Sequence, residues 1–254
     1  SVWLVVGHKK ELLMDRLGNR VKYIEQHEQL GTAHAVKQAE KELKTIKGAT
    51  IILPGDMPLI DAVTLNEIIE SHNESNCKIT VVTTYFDNPF GYGRIKKDND
   101  GNVIGIVEEL SATSEEKQIK EVNTGIYVID NQSLFDNLNL IKKDPKKGEY
   151  YLTDIVSVFV SAEEKVNSYL IQDNSIVMGV NDLVAISDAE KYFRNNINQS
   201  HMLNGVSLIN PDTITIGHEA KIDSGVIIYP NTTITGKSSI STGSIIGPNT
   251  ELHN

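Results

Sequence analysis

From Ile216 onward the apolar positions keep a six-residue spacing: Ile216, Ile222, Ile228, Ile234, Ile240, Ile246 and Leu252. Four residues after the first six of these stand Ala220, Val226, Thr232, Ser238, Ser244 and Thr250, all small or β-branched. A period of six matches neither the 3.6 of a helix nor the two of an ordinary strand. It matches a coil of three short, flat strands, each directing one aliphatic side chain at the axis, which is the hexapeptide β-helix signature. Up to Asn254 the sequence holds little more than two such coils.

Residues 1–200 carry a different rhythm. Apolar strands are expected at Val2–Val6, Val21–Ile24, Ala49–Leu53, Lys78–Thr84, Val122–Ile129 and Val166–Ile171. Helices are expected at Lys10–Leu17, Ala62–Ser75, Ser133–Leu140 and Leu152–Ser161, and at Thr32–Ile46, where Ala35, Val36, Ala39 and Leu43 form one stripe. Strands separated by helices of this length predict a parallel, doubly wound α/β sheet. The middle departs from alternation: Arg94–Lys97 and Val103–Glu108 flank Asp98-Asn-Asp-Gly101, a hairpin turn. A long polar helix over Asn181–Gln199 leads to the hexads, so the domain boundary is expected between Ile197 and Gly205. The reading is two domains, 1–200 and 201–254.

Composition narrows the function. A net charge of −10 disfavours a nucleic-acid surface as the main role, though backbone N–H groups and a metal still suit phosphates. The single Cys77 excludes an internal disulfide and fits a reducing compartment. It is otherwise read as a small buried hydrophobe. No apolar run approaches the roughly 18 residues of a membrane span, and no signal peptide is visible, so a cytoplasmic protein is expected. The chain opens at Ser1 inside an apparent buried strand, which points to residues missing upstream.

In such sheets ligands sit beyond the carboxyl ends of strands, and several clusters fall there. Pro54-Gly55-Asp56 follows one strand; Asp56 is placed either to hold a divalent metal on a phosphate or to cap the next turn. Gln26 and the Gly31-Thr32 pair follow another. The Gln26 amide donates and accepts, so it could read a base. Thr32 opens a helix, either as an anion-binding end or as an ordinary N-cap. His34, inside that helix, reads as packed rather than catalytic. Gly91-Tyr92-Gly93 permits close backbone approach to a ligand or simply enters a hairpin. Glu108 and Glu109 end a strand, and Asn123-Thr124-Gly125 begins one. Asn181 could cap the long helix, ligate a metal through its amide oxygen, or do both. Lys142, Lys143, Lys146 and Lys147 form a basic patch before Gly148-Glu-Tyr-Tyr151, read as a solvated loop with phosphate steering as the alternative.

Taken in order, Glu28-Gln-Leu-Gly-Thr-Ala-His-Ala35, Gly55-Asp56-x-Pro58-Leu59, Gly91-Tyr-Gly-Arg-Ile95, Ile106-Val-Glu108, Asn123-Thr-Gly125, Gly148-Glu-Tyr-Tyr151 and Gly179-Val-Asn181 resemble the bacterial bifunctional enzymes of UDP-N-acetylglucosamine synthesis. These join an N-acetylglucosamine-1-phosphate uridylyltransferase to a glucosamine-1-phosphate acetyltransferase, and the likeness runs through the hexads. It implies a Rossmann-like nucleotidyltransferase domain followed by the first coils of a left-handed parallel β-helix. It further implies that Asp56 and Asn181 hold catalytic Mg²⁺ and that Gln26, Gly31 and Thr32 contact uracil and ribose. Pro54 and Gly55 would lie against the nucleoside, and Gly93, Glu108 and Asn123 would receive the N-acetylglucosamine moiety. The expected partners are UTP, N-acetylglucosamine-1-phosphate and UDP-N-acetylglucosamine, in a homotrimer, with acetyl-CoA only in the complete protein.

Two departures qualify the likeness. The family's Gly-rich phosphate loop is absent, and Leu110 stands where the family usually carries Lys. Little uridylyl transfer is therefore expected of this stretch by itself, and His253 is not read as the acetyltransferase histidine. A non-catalytic scaffold and a pyrophosphorylase for another hexose-1-phosphate are the competing readings.

Overall fold

The structure, a computed structural model, describes residues 1–145 and 147–254. Lys146 of the basic patch lies outside the described residues. The chain divides into two compact units, Ser1–Val177 and Met178–Asn254. This division lies upstream of the boundary expected between Ile197 and Gly205. The reason is the long helix, which packs within the second unit and not as a free connector.

In the first unit the elements run β1 (Trp3–Val6), α1 (Lys10–Leu17), β2 (Lys22–Glu25), α2 (Thr32–Lys37), α3 (Glu40–Leu43), β3 (Ala49–Ile52), α4 (Ala62–Ser75), β4 (Ile79–Tyr85), β5 (Arg94–Lys97), β6 (Val103–Val107), β7 (Glu121–Asp130), α5 (Asn131–Leu138), α6 (Asp154–Ser161) and β8 (Val166–Ile171). The helix expected over Thr32–Ile46 breaks in two. Ala39 donates to the Val36 carbonyl, three residues back, and this 3₁₀-type tightening ends α2.

The sheet is mixed: the hairpin expected at Asp98–Gly101 is present, and parallel pairing is narrower than the expected doubly wound sheet. β1 pairs β2 in parallel as a separate two-stranded sheet. In the larger sheet, ordered β6-β5-β7-β4-β8 with β3 also on β7, only β4 and β8 are parallel. A parallel pair needs a crossover of a dozen or more residues, usually helical. Between β5 and β7 the chain forms only the hairpin at Asp98–Gly101 and a short 3₁₀ turn at Glu116–Gln118. It therefore returns antiparallel, and β7 pairs antiparallel with β3, β4 and β5.

Alternation along the central strands builds a core on each face. Ile79, Val81, Tyr127 and Ile129 meet Leu134, Phe135 and Leu138 of α5 and Ile155, Val156 and Phe159 of α6. Val82, Ile126 and Val128 face Ile68 of α4 on the other side. Helices thus cover both faces, the layered arrangement of a Rossmann-like α/β unit. One polar knot lies in the α4 layer. Thr80 Oγ1 accepts from Asn167 Nδ2 at 3.1 Å and lies 2.9 Å from Nδ1 of buried His72. Cys77, the lone thiol, is half-buried.

The second unit begins with α7 (Leu183–Leu203), whose Asn198 side chain is buried and donates to the carbonyls of Pro211 and Ile214 at 3.0 and 2.9 Å. Eight two-residue strands follow: β9 (Ser207–Leu208), β10 (Thr215–Ile216), β11 (Lys221–Ile222), β12 (Ile227–Ile228), β13 (Thr233–Ile234), β14 (Ser239–Ile240), β15 (Ile245–Ile246) and β16 (Glu251–Leu252). They visit three parallel sheets in rotation, β9-β12-β15, β10-β13-β16 and β11-β14. Three hexads complete each round, so Thr215 pairs with Thr233 and Ile227 with Ile245. The hexad isoleucines, with Val226 and Ala220, share one core. At one corner Asn231 and Asn249 both adopt positive φ, and the Asn231 amide donates to Asn249 Oδ1 at 3.1 Å.

Burial holds the His72 imidazole below its usual range near 6.5. Below that pH the unfolded chain takes up a proton that the folded chain resists. The stability is therefore present above about pH 6.5 and is lost as pH falls. Urea unfolding at about pH 8 and pH 5 should show a larger loss for the wild type than for His72→Gln; equal losses would contradict this assignment.

Candidate functional site

The first unit gathers most of the expected site residues around the start of β7. Between the pairs Val81–Tyr127 and Thr83–Asn123, β4 advances two residues while β7 advances four. The surplus is a bulge at Thr124-Gly125-Ile126. Side chains replace the lost ladder: Thr124 Oγ1 donates to the Val82 carbonyl at 2.8 Å, and Asn123 Oδ1 accepts from the Gly125 N–H at 3.1 Å. Asn123 is thus the third residue of β7, close to the expected position. Gly125 takes a φ of +83°, and a Cβ there would stand 3.0 Å from Pro54 Cγ. The bulge therefore seats the Pro54-Gly55-Asp56 turn.

The same strand carries the other half of the site. The Asn123 N–H donates to the Gly93 carbonyl at 2.9 Å. A Cβ on Gly93 would lie 2.8 Å from Ile106 Cγ2 and 3.6 Å from Glu108 Oε1. Gly93, Glu108 and Asn123 are therefore brought together, as expected. Glu108 is exposed and Asn123 is buried. Beside them the Tyr127 hydroxyl is buried, with the Asn123 side chain as its polar neighbour. Burial raises its pKa, with the charges of Glu108 and Asp154 adding to the effect. The Asp154 carboxyl is also raised, by packed protein around it and then by Glu108 and Asp144. Tyr127 and Asp154 were not singled out by sequence. Their signal was weak, because an alternating strand makes Tyr127 look like plain core.

The Gly91–Gly93 turn is held from below. Arg94 is only 2% exposed; its guanidinium donates to Glu109 Oε2 at 2.6 Å and to the Tyr92 carbonyl. That hydrogen bond from Arg94 holds the Glu109 carboxyl below the usual range. Burial raises the Tyr92 pKa and the Asp56 charge raises it further, so Asp56 faces this turn. Asp56 itself is exposed, and among the described residues it makes no hydrogen bond or ion pair. The capping alternative for Asp56 is not realised: the next helix, α4, is capped by Asp61, which accepts from Thr64 N–H at 2.8 Å.

At the third cluster, Gln26 follows β2 and Gly31 precedes α2. Gly31 has a φ of +99°, and a Cβ would lie 2.5 Å from the Tyr150 carbonyl oxygen. This glycine is needed for close packing of two backbones: Tyr150 N–H donates to Leu30 O at 2.8 Å and Ala33 N–H to Tyr150 O at 3.0 Å. Thr32 is not an N-cap. Its hydroxyl accepts from Leu152 N–H at 2.9 Å, and with the Ala33 amide already bonded the helix start is not an open anion site. Lys143 and Lys147 lie over the Tyr150 and Tyr151 rings at 6.0 and 5.8 Å.

Asn181 belongs to the second unit. It does not cap α7. That role falls to Asp182, whose side chain accepts from Ala185 N–H at 2.8 Å. Asn181 is exposed and, among the described residues, makes no hydrogen bond. Among the described residues no three His, Cys, Asp or Glu side chains converge on one point. An exposed carboxylate oxygen without a partner among the described residues, such as that of Asp56, is nevertheless a hard donor of the type a divalent cation takes alongside water and phosphate oxygens.

Residues 7–191 match the nucleotidyl transferase family. The chain is 49% identical to the bifunctional protein GlmU of Acholeplasma laidlawii over all 254 of its residues, covering 55% of that protein. It is 45% identical to the protein of the same name from Streptococcus agalactiae, covering 92% of the chain and 51% of the relative. For Staphylococcus saprophyticus the figures are 42%, 92% and 52%. The chain thus spans about half the length of the curated relatives it matches. Among solved structures it is similar to one described as a glucose-1-phosphate thymidylyltransferase of Bacillus anthracis, with a TM-score of 0.56 over 74% of each chain and 18% identity. That likeness concerns the fold alone. Among the described residues no helix is long and apolar enough to cross a membrane.

Two glycines differ in what surrounds them. Gly31→Ala should cost about 2 kcal/mol or more in urea unfolding, because the Cβ breaks the pairing with Tyr150. Gly55→Ala, with open space around its Cβ, should change stability by less than about 0.5 kcal/mol. Equal effects would contradict this division.

Proposed function

Because the chain belongs to the nucleotidyl transferase family, we propose that it serves uridylyl transfer from UTP to N-acetylglucosamine-1-phosphate, giving UDP-N-acetylglucosamine and pyrophosphate. The observation that carries the reading is the meeting of Pro54-Gly55-Asp56 with Gly93, Glu108 and Asn123 on one bulged strand. A nucleotide-side turn and a sugar-side turn then share one support. Gln26, Gly31 and Thr32 are assigned to the uracil and ribose, Pro54 and Gly55 to the nucleoside face, and Gly93, Glu108 and Asn123 to the N-acetylglucosamine moiety. The exposed Glu108 carboxylate accepts from sugar hydroxyls, while the turn at Gly93 admits the ring without a Cβ in the way.

In the reaction a phosphate oxygen of the sugar phosphate attacks the α-phosphorus of UTP in line and pyrophosphate leaves. Such chemistry rests on alignment and charge neutralisation rather than on a covalent enzyme intermediate. Asp56 in the first unit is proposed as an oxygen donor to Mg²⁺, which when bound would neutralise phosphate charge, and Asn181 in the second unit carries an amide oxygen of the same donor type. The protein's own part is to hold base and sugar at fixed stations so that the two phosphates meet.

The hexads are proposed as the first coils of a left-handed parallel β-helix. The 18-residue rotation among three sheets supports this, and in the functional division residues 1–200 form the transferase domain and 201–254 the β-helix start. On one sheet Ile227 and Ile245 stack, with Tyr229 exposed beside them. An exposed apolar column of this kind suits subunit association, and a homotrimer is proposed. Acetyl-CoA-dependent acetylation of glucosamine-1-phosphate is assigned to the longer protein, and the whole to the cytoplasm, where a free thiol belongs.

Two outcomes test the reading. Titration calorimetry should show UDP-N-acetylglucosamine binding at least about tenfold tighter than UDP-glucose; equal affinities would remove the sugar assignment. Mg²⁺ should strengthen UTP binding to the wild type and not to Asp56→Asn, with unchanged thermal stability. A retained Mg²⁺ effect would take Asp56 out of the mechanism.

A further inference from the structure

His34 serves none of the roles above, yet it lies half-buried against the proposed base reader. Gln26 Nε2 lies 3.3 Å from the Gly31 carbonyl oxygen and 3.0 Å from His34 Nδ1. A carbonyl oxygen only accepts, so the Gln26 atom that faces it must be the amide nitrogen. An amide nitrogen only donates, so His34 Nδ1 must offer its lone pair. The neutral ring then carries its proton on Nε2.

The other ring nitrogen meets a second glutamine. Gln38 Nε2 lies 3.1 Å from His34 Nε2 and 3.0 Å from the His34 carbonyl oxygen. A neutral imidazole has one lone pair, so it can serve only one of two amide donors. Gln38 already donates to the His34 carbonyl at 3.0 Å, whereas the other acceptor for Gln26 is the more distant Gly31 oxygen. The lone pair therefore goes to Gln26, and the Gln38 amide nitrogen keeps the His34 carbonyl as its acceptor.

We propose that His34 is a positioning residue that makes Gln26 an acceptor-only reader of the nucleobase. Both Gln26 amide hydrogens are spent inward, on Gly31 and His34. What remains for a ligand is Oε1. An acceptor there matches the ring N–H of uracil or thymine and meets an unfavourable second acceptor in the corresponding nitrogen of cytosine. Without the His34 lone pair, the Gln26 amide can turn over and offer N–H instead. The preference for uracil over cytosine then rests on a histidine tautomer one shell behind the ligand. This rests on the uridylyltransferase reading, since it takes Gln26 as the base contact.

The test has one arm with nucleotide and one without. Titration calorimetry compares UDP with CDP on the wild type, on His34→Leu and on His34→Asn, whose side-chain oxygen restores an acceptor. The wild type should prefer UDP, His34→Leu should lose about tenfold of that preference, and His34→Asn should recover most of it. A full UDP preference in His34→Leu would overturn the proposal. In the ligand-free wild type, ¹⁵N spectra of the imidazole at about pH 8 should show Nδ1 unprotonated; a proton on Nδ1 would overturn it independently. If the wild type bound neither nucleotide, the uridylyltransferase reading would fail, and the histidine assignment would be decided by the ring spectrum.

Discussion

The bulge in β7 is the constraint on which the rest of the first unit depends. Between two ladder pairs β4 advances two residues and β7 four, and the strand absorbs the excess by bending Thr124 and Gly125 out of the ladder. Three consequences follow from that surplus. Gly125 adopts a φ open to glycine and lets Pro54 pack to 3.0 Å of where a Cβ would stand. Asn123 is held with its N–H on Gly93. Tyr127, just past the bulge, carries its hydroxyl to the same side as Glu108 and Asp154. Asn123, Gly125 and Tyr127 are spaced two apart, so a surplus of two residues leaves them on one face of the strand.

Buried charge reinforces this geometry at one point. Arg94 lies under the Gly91–Gly93 turn and is balanced by Glu109 at 2.6 Å. Removing one partner of such a pair leaves an uncompensated buried charge, which costs far more than the pair contributes. The turn is therefore fixed in position by a pair that resists loss of either member. Asp56, in contrast, has no cation among its described neighbours. Kept exposed and unpaired beside a rigid turn, this carboxylate adds no ion pair to the fold among the described residues.

Much of the architecture was legible in the sequence because side-chain periodicity reports burial directly. The strands and helices of the first 177 residues fall close to their expected ranges, and the hexads gave the 18-residue rotation before any coordinate. The failures have local causes. The hairpin over residues 94–108 was readable from its turn, but the antiparallel pairing of β7 with β3 and β4 was not, since it follows from helix-free connections. The helix over Thr32–Ile46 breaks because Ala39 bonds three residues back. Asn181 and Asp182 are adjacent polar residues at a helix start, and composition alone does not say which one caps. In the site, glycines and acids at strand ends were readable, but reasons differed: Gly31 is required by Tyr150, and Thr32 holds Leu152. The surroundings of Tyr127 and Asp154 depend on long-range packing, which leaves no periodic trace.

The central claim is that the β7 bulge joins a nucleotide-side turn and a sugar-side turn into one site. A crystal structure of the chain with UDP-N-acetylglucosamine tests it most directly. The account predicts the uracil against Gln26, the nucleoside over Pro54-Gly55, and the N-acetylglucosamine ring among Gly93, Glu108 and Asn123, with Thr124 and Gly125 unmoved. A nucleotide sugar bound away from β7, or bound only after the bulge is straightened, would contradict it.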